Sequence, residues 1–242
     1  MKVNSNRDIS FKSFYTNSAV RKSLEFAADN GALFASTATV GFSMLRPLSI
    51  WLTPDTDKEN VLREEEYSMI LLVVDMQEGI VDEELYAFDT FMDRTVRLID
   101  AARKSGTEVI FFKHDAGPGS GLSEGESGFD IIEQVRPWQG EKVFVKTINS
   151  CFGCREFREY MEKQEDSRLM IIGLQTNYCI DATVKSAFER GYTVIIPEGA
   201  NTTFDNDYMT GETTVRYYNE DIWEELVESV SLEEALEILD RG

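Results

Sequence analysis

The sequence predicts an α/β protein whose core is a mostly parallel sheet covered on both faces, a three-layer α/β/α sandwich, preceded by an N-terminal extension. Two observations carry that expectation. Short apolar runs of strand length alternate with stretches of helical periodicity from residue 67 onward. The connections between them are short, as parallel crossover units require.

The elements follow in order. MILLVVD (69–75) is a continuous apolar run, the pattern of a strand buried on both faces. Leu85 to Lys104 has helical spacing, with Phe88, Phe91, Met92, Val96, Ile99 and Ala102 on one face, and Ser105-Gly106 ends it. TEVIFFK (107–113) is a second strand, and the Gly- and Ser-rich residues 114–128 form a loop. KVFVK (142–146) is a third strand, and Arg155 to Gln164 a helix. RLMIIG (168–173) is a fourth strand, followed by a helix from Tyr178 to Arg190 that closes at Gly191. YTVIIP (192–197) is a fifth strand. A helical stretch around 208–226, a short strand VESV (227–230) and a terminal helix (231–239) complete the pattern.

Residues 1–66 read differently. Residues 1–53 are mildly basic and rich in Ser, Thr, Asn and Ala, and residues 54–66 (PDTDKENVLREEE) form a charged linker. The reading therefore divides the chain into an extension of unassigned function (1–66) and a domain (67–242). The apolar stretch Gly31 to Leu52 is interrupted by Arg46 and Pro47, so a helix packed on the domain, or a loosely ordered extension, is expected there rather than a membrane span. Met69, just ahead of the first strand, is a candidate start.

Composition narrows the function. Of 242 residues, 44 are Asp or Glu and 24 Lys or Arg, a formal net charge of -20 that repels nucleic acid and anionic membranes. Three cysteines make no disulfide framework, and no secretory signal is evident, so a cytoplasmic location is expected. The single histidine, His114, rules out a multi-histidine zinc site.

In a parallel sheet, chemistry gathers beyond the carboxyl ends of the strands. Asp75 ends the first strand, Lys146 ends the third, and Cys179 follows the fourth. A thiol attacks as thiolate, and a helix N-terminus or a nearby cation lowers its pKa from about 8.5. Cys179 at the start of a helix and Lys146 beside it would supply both, with Asp75 as the general base. Each residue alone has an ordinary structural explanation; their joint placement on one rim points to a site.

VVDMQ (73–77), VKTINSCF (145–152) and GLQTNYCIDATVKSAFERGYTV (173–194) resemble, in order and spacing, the three signatures of the isochorismatase-like hydrolases. That family includes nicotinamidases and N-carbamoylsarcosine amidohydrolases, and the resemblance spans roughly residues 67–239. It implies a cysteine hydrolase acting on a small amide or ureido C–N bond through a thioester, with Asp75, Lys146 and Cys179 as the catalytic residues. It also implies a cis Leu174–Gln175 peptide, with the amides of Gln175 and Cys179 as the oxyanion hole. Gln77, His114, Phe152 and Tyr178 are the expected substrate-binding residues. No cofactor is expected, and no metal, because the several His residues of the nicotinamidase metal site have no counterpart here. Nicotinamide is accordingly a poor first guess, and the cysteine argues against a reaction of the isochorismatase type. The partner is a small amide-like molecule, and relatives suggest a homo-oligomer. Two alternatives stay open: a catalytically silent binding relative, and a thiol redox protein using Cys151-Phe-Gly-Cys154.

Overall fold

The structure is a computed structural model that describes residues 68–164 and 168–241. The extension, the linker and the apolar stretch 31–52 lie outside the described residues.

Seven strands form one sheet: β1 (Met69–Val74), β2 (Glu108–His114), β3 (Lys142–Lys146), β4 (Arg168–Leu174), β5 (Thr193–Pro197), β6 (Asn201–Thr202) and β7 (Glu228–Val230). The order is β3-β2-β1-β4-β5-β7, with β6 beside the end of β4, and every pairing is parallel. The chain runs outward from β1 through β2 to β3, then returns to β4 on the other side of β1. The carboxyl end of β1 therefore lies where the order reverses, the usual place for a site in such sheets.

The continuous apolar run of β1 has a direct structural cause. Leu71 and Val73 enter one core, and Ile70, Leu72 and Val74 enter the other. Each of these side chains is at most 2% exposed, and burying one contributes about 1.5–3 kcal/mol. The first core is closed by α1 (Phe88–Ser105) and α5 (Leu232–Arg241), which supply Phe91, Leu98, Leu232 and Leu239. The second is closed by α2 (Arg155–Met161) and α3 (Asp181–Glu189), with Phe157, Val184 and the fully buried Trp223. The remaining helix, α4 (Gly211–Tyr217), is capped by Thr210, whose hydroxyl accepts from Thr213 N.

Several elements differ from the sequence expectation. α1 begins at Phe88 rather than Leu85, because Ala87 has φ 51° and Tyr86 N donates to Thr203 O, so the chain cannot be helical there. Leu85 is buried without being helical. The helix expected from Tyr178 begins as a π-helical turn, Thr176–Ile180, and becomes α3 only at Asp181. The long stretch 208–226 resolves into α4 and a second π-helical turn, Tyr218–Ile222. β6 was not expected: two polar residues make no apolar run. Among the described residues, no helix is long and apolar enough to cross a membrane.

Candidate active site

Asp75 leaves β1 with φ 56°, and its N–H donates to Phe112 O of β2. The carboxylate is thereby turned over the sheet edge, where it is 1% exposed. β4 crowds the same point. Gly173 has φ 120°, and a Cβ there would stand 2.1 Å from Val74 O, so only glycine fits. The following Leu174–Gln175 peptide is cis.

Lys146 ends β3, two strands away from β1, which is about 10 Å at ordinary strand spacing. Its long side chain crosses the end of β2 to reach Asp75. Nζ lies 2.7 Å from Asp75 Oδ2, 3.2 Å from Cys179 Sγ and 3.3 Å from His114 Nδ1. His114 is its register partner on β2. With the ammonium as donor, Nδ1 accepts and the ring proton sits on Nε2. Asp75 Oδ1 is buried with no hydrogen-bond partner among the described residues.

The thiol, the imidazole and the carboxylate bring their ligating atoms within 4.8 Å of one another, the separation a bound metal would need. Lys146 Nζ touches all three, so the ammonium already supplies the positive charge that such a cluster would attract.

Electrostatics follow from burial. Desolvation pushes the Asp75 carboxyl above the usual carboxylate range, against the pull of Lys146. Burial draws Lys146 down, but the charge of Asp75, with its hydrogen bond, leads the influences that outweigh it and hold the ammonium. Burial and the Lys146 charge keep His114 below its ordinary value, hence neutral. The Cys179 thiol runs opposite to the sequence expectation. Burial first, and the Asp75 charge second, push it up to about 12 despite Lys146. The resting site thus holds a thiol beside a carboxylate of raised proton affinity.

Asp75, His114 and Cys179 form the floor of a cavity of about 530 Å³, lined also by Gln175, Tyr178, Asn149 and Phe204. Tyr178 is half exposed at its rim. Two expected substrate-binding residues lie elsewhere. Gln77 is fully buried and bridges two loops to β2: its Oε1 accepts from His114 N, and its Nε2 donates to His114 O and Phe129 O. Its polar atoms are occupied in fixing the end of β2. Phe152 is 3% exposed, stacks on Tyr192 at 5.6 Å and packs on Phe157 at 5.1 Å, so it belongs to the core.

Other residues, not anticipated from the sequence, hold the site together. Asn149 Oδ1 lies 3.9 Å from Cys179 Sγ. Thr183 Oγ1 accepts from Cys151 N and donates to Cys179 O, tying the segment after β3 to the cysteine turn. Thr176 donates to Asn201 Oδ1, and Thr203 donates to Asn177 Oδ1, which anchors that turn to β6 and its extension. Such short polar residues carry no periodic signal; the position of Asn149, three residues after Lys146, was the only available cue.

Fold and cluster define a class: a doubly covered parallel sheet with a thiol, an ammonium and a carboxylate in contact at its carboxyl edge. The family model of the isochorismatase domain matches residues 69–217, and the chain belongs to the isochorismatase family. Streptothricin hydrolase of Streptomyces noursei is 29% identical over 137 residues, 56% of this chain and 50% of that protein. The chain therefore spans about half the length of that relative. Nicotinamidase 3 of Arabidopsis thaliana is 25% identical over 154 residues, 57% of this chain and 74% of that protein. Among solved structures, a cysteine hydrolase from Pseudomonas syringae pv. phaseolicola superposes with a TM-score of 0.66 at 20% identity, covering 81% of this chain and 99% of that one. A hydrolase of the isochorismatase family from Chromobacterium violaceum gives 0.67 at 22% identity, covering 82% and 100%. These two likenesses establish the shared fold.

Proposed function

We propose that the domain, taken as residues 67–242, is a cysteine amidohydrolase that cleaves a small amide or ureido C–N bond through a thioester. One observation carries the reading: Lys146 Nζ bridges the Asp75 carboxylate and the Cys179 thiol at the floor of a cavity. The names of the relatives, a streptothricin hydrolase and a nicotinamidase, agree with hydrolysis of such bonds.

The chemistry follows from the groups in contact. Burial holds Cys179 as a thiol at rest, so its deprotonation goes with the attack. Sγ attacks the carbonyl carbon while its proton passes to Asp75, whose raised proton affinity suits a base. The Lys146 ammonium offsets the negative charge that moves through the site. The N–H groups of Gln175 and Cys179 are the proposed donors to the oxyanion, a role supported by the position of both residues on the cavity wall. Asp75 then protonates the departing nitrogen, the C–N bond breaks, and a thioester on Cys179 remains. Water, deprotonated by Asp75, hydrolyses it to the acid and free thiol.

The redox alternative has less support. Cys151 and Cys154 are free and buried, and neither lines the cavity that Cys179 lines.

The test is a panel of small carboxamides and ureido compounds, read for released amine, with hydroxylamine added to trap the acyl-enzyme. Wild type should give amine and, with hydroxylamine, the hydroxamate; Cys179→Ala should give neither. A Cys179→Ala protein that keeps the wild-type rate would overturn the proposal.

A further inference from the structure

The mouth of the cavity is charged with one sign. Glu78, Asp82 and Glu84 line it, and all three are exposed. Among the described residues, the lining contains no Lys or Arg, and no ion pair joins these three carboxylates to a cation. A second observation comes from the floor. Asp75 is 1% exposed and lines the cavity, and its Oδ1 has no geometric hydrogen-bond partner among the described residues, so the floor too presents a carboxylate to the cavity. The Lys146 ammonium is neutralised by its contact with Asp75 Oδ2 and does not itself line the cavity. The walls add two aromatic rings, Tyr178 and Phe204, whose faces attract cations.

We propose that this site selects amides carrying a positive charge a few bonds from the scissile carbonyl, an ammonium or guanidinium, and discriminates against carboxylate-bearing amides. The proposal rests on the amidohydrolase reading, since it places the reacting carbonyl at Cys179. The physical reason is field focusing. Three carboxylates around a low-dielectric cleft raise the local concentration of cations and lower that of anions. An anionic substrate would meet them with no arginine or lysine on the wall to receive its carboxylate. The segment from Glu78 to Glu84 is held close by the fold: Gly79 N donates to Gly128 O, and Ile80 and Val81 N–H groups donate to Gln77 O. The acidic residues therefore sit on a fixed turn.

The test uses three methanethiosulfonates of similar size acting on the full chain: a trimethylammonium-ethyl, a sulfonato-ethyl and a neutral pentyl reagent. Modification of Cys179 is followed by peptide mass spectrometry at low salt, with rates normalised to a free small thiol. The expected cation-to-anion rate ratio is about tenfold or more. Glu78→Gln/Asp82→Asn/Glu84→Gln should bring it close to 1, while the neutral reagent changes less than about twofold. A control of equal net charge, Glu233→Gln/Glu237→Gln/Asp240→Asn, removes carboxylates that do not line the cavity and should leave the ratio in place. A wild-type ratio of 1 or below overturns the selectivity, and so does an equal fall in both triple variants, which would assign it to net charge. If Cys179 reacts with the charge bias described but Cys179→Ala retains hydrolysis, the amidohydrolase reading fails separately. Absence of reaction with all three reagents overturns both, because a thiol that Asp75 cannot deprotonate for attack, or that no reagent reaches, is not the nucleophile of this cavity.

Discussion

β1 and β3 each end in one member of the buried ion pair, yet they are built differently. β1 is buried at all six positions and is paired on both sides, to β2 and β4. β3 is an edge strand paired only to β2, and Val143 and Val145 are 41% and 44% exposed. Even so, Lys146 at its end is as buried as Asp75. The position of Asp75 is thus imposed by the core beneath it, whereas that of Lys146 depends on the partners it reaches: Asp75, His114 and Cys179. The carboxylate is part of the scaffold, and the ammonium is held by the site.

The largest effect that would test this contrast is catalytic. Asp75→Asn keeps the shape and the strand, so the fold should persist while kcat/KM falls by about 10²–10⁴, the usual contribution of a general base. In the proposed mechanism the reaction needs Asp75 ionised, so the rate should rise with pH through its pKa. Because burial raises that pKa, the acid limb should lie above the ordinary Asp value of about 3.9. A limb at or below that value would contradict the environment described.

Stability comes next. Lys146→Met leaves a buried carboxylate without its counter-charge, and the expected loss is about 3–5 kcal/mol in urea unfolding near pH 7. Adding Asp75→Asn removes the orphaned charge and should recover much of that loss. If the double variant is no more stable than the single one, the lysine is held by its strand and not by its partners.

How far the sequence led to this arrangement differs between the same two strands. The six apolar residues of β1 have one explanation, burial in two cores, and so both the strand and Asp75 at its end were legible. In β3 the run of Val143, Phe144 and Val145 gave a strand with the right limits, but three apolar residues in a row did not show that Val143 and Val145 face outward. What could not be read was which strand lies next to which, and hence that Lys146 must pass over His114 to meet Asp75. The local chemistry of Gln77 and Phe152 was equally hidden. A buried Gln clamping a strand end and a pocket Gln look alike in one dimension, and an aromatic near a site can face the core. The raised Cys179 thiol also escaped the sequence, because a turn beginning a helix suggests a lowered pKa until burial is known.

Core substitutions compare the strands directly. Leu72→Ala in β1 opens a cavity in a filled core and should cost about 2–5 kcal/mol. Val143→Ala, on the exposed face of the edge strand, should stay within about 0.5 kcal/mol. Equal losses, measured as urea midpoints at constant slope, would mean that the β3 edge is covered in the full chain.

The smallest effect concerns His114, which connects the two strands. It is neutral, and its Nδ1 is the third acceptor for the Lys146 ammonium, so we propose that it positions that ammonium between Asp75 and Cys179. Its backbone is clamped by Gln77, so replacing the ring should leave β2 in place. His114→Ala should lower kcat by about tenfold, the loss of one hydrogen bond of about 1.4 kcal/mol to a charged group, with KM little changed. His114→Gln can return an acceptor to the ammonium and should recover part of the rate, which a purely space-filling role would not allow. Because the histidine is already neutral at rest, neither variant should remove a titration near pH 6–7 from the wild-type profile. A wild-type limb in that range that disappears in His114→Ala would show instead that the imidazole itself exchanges the proton, and would shift the base from β1 to β2.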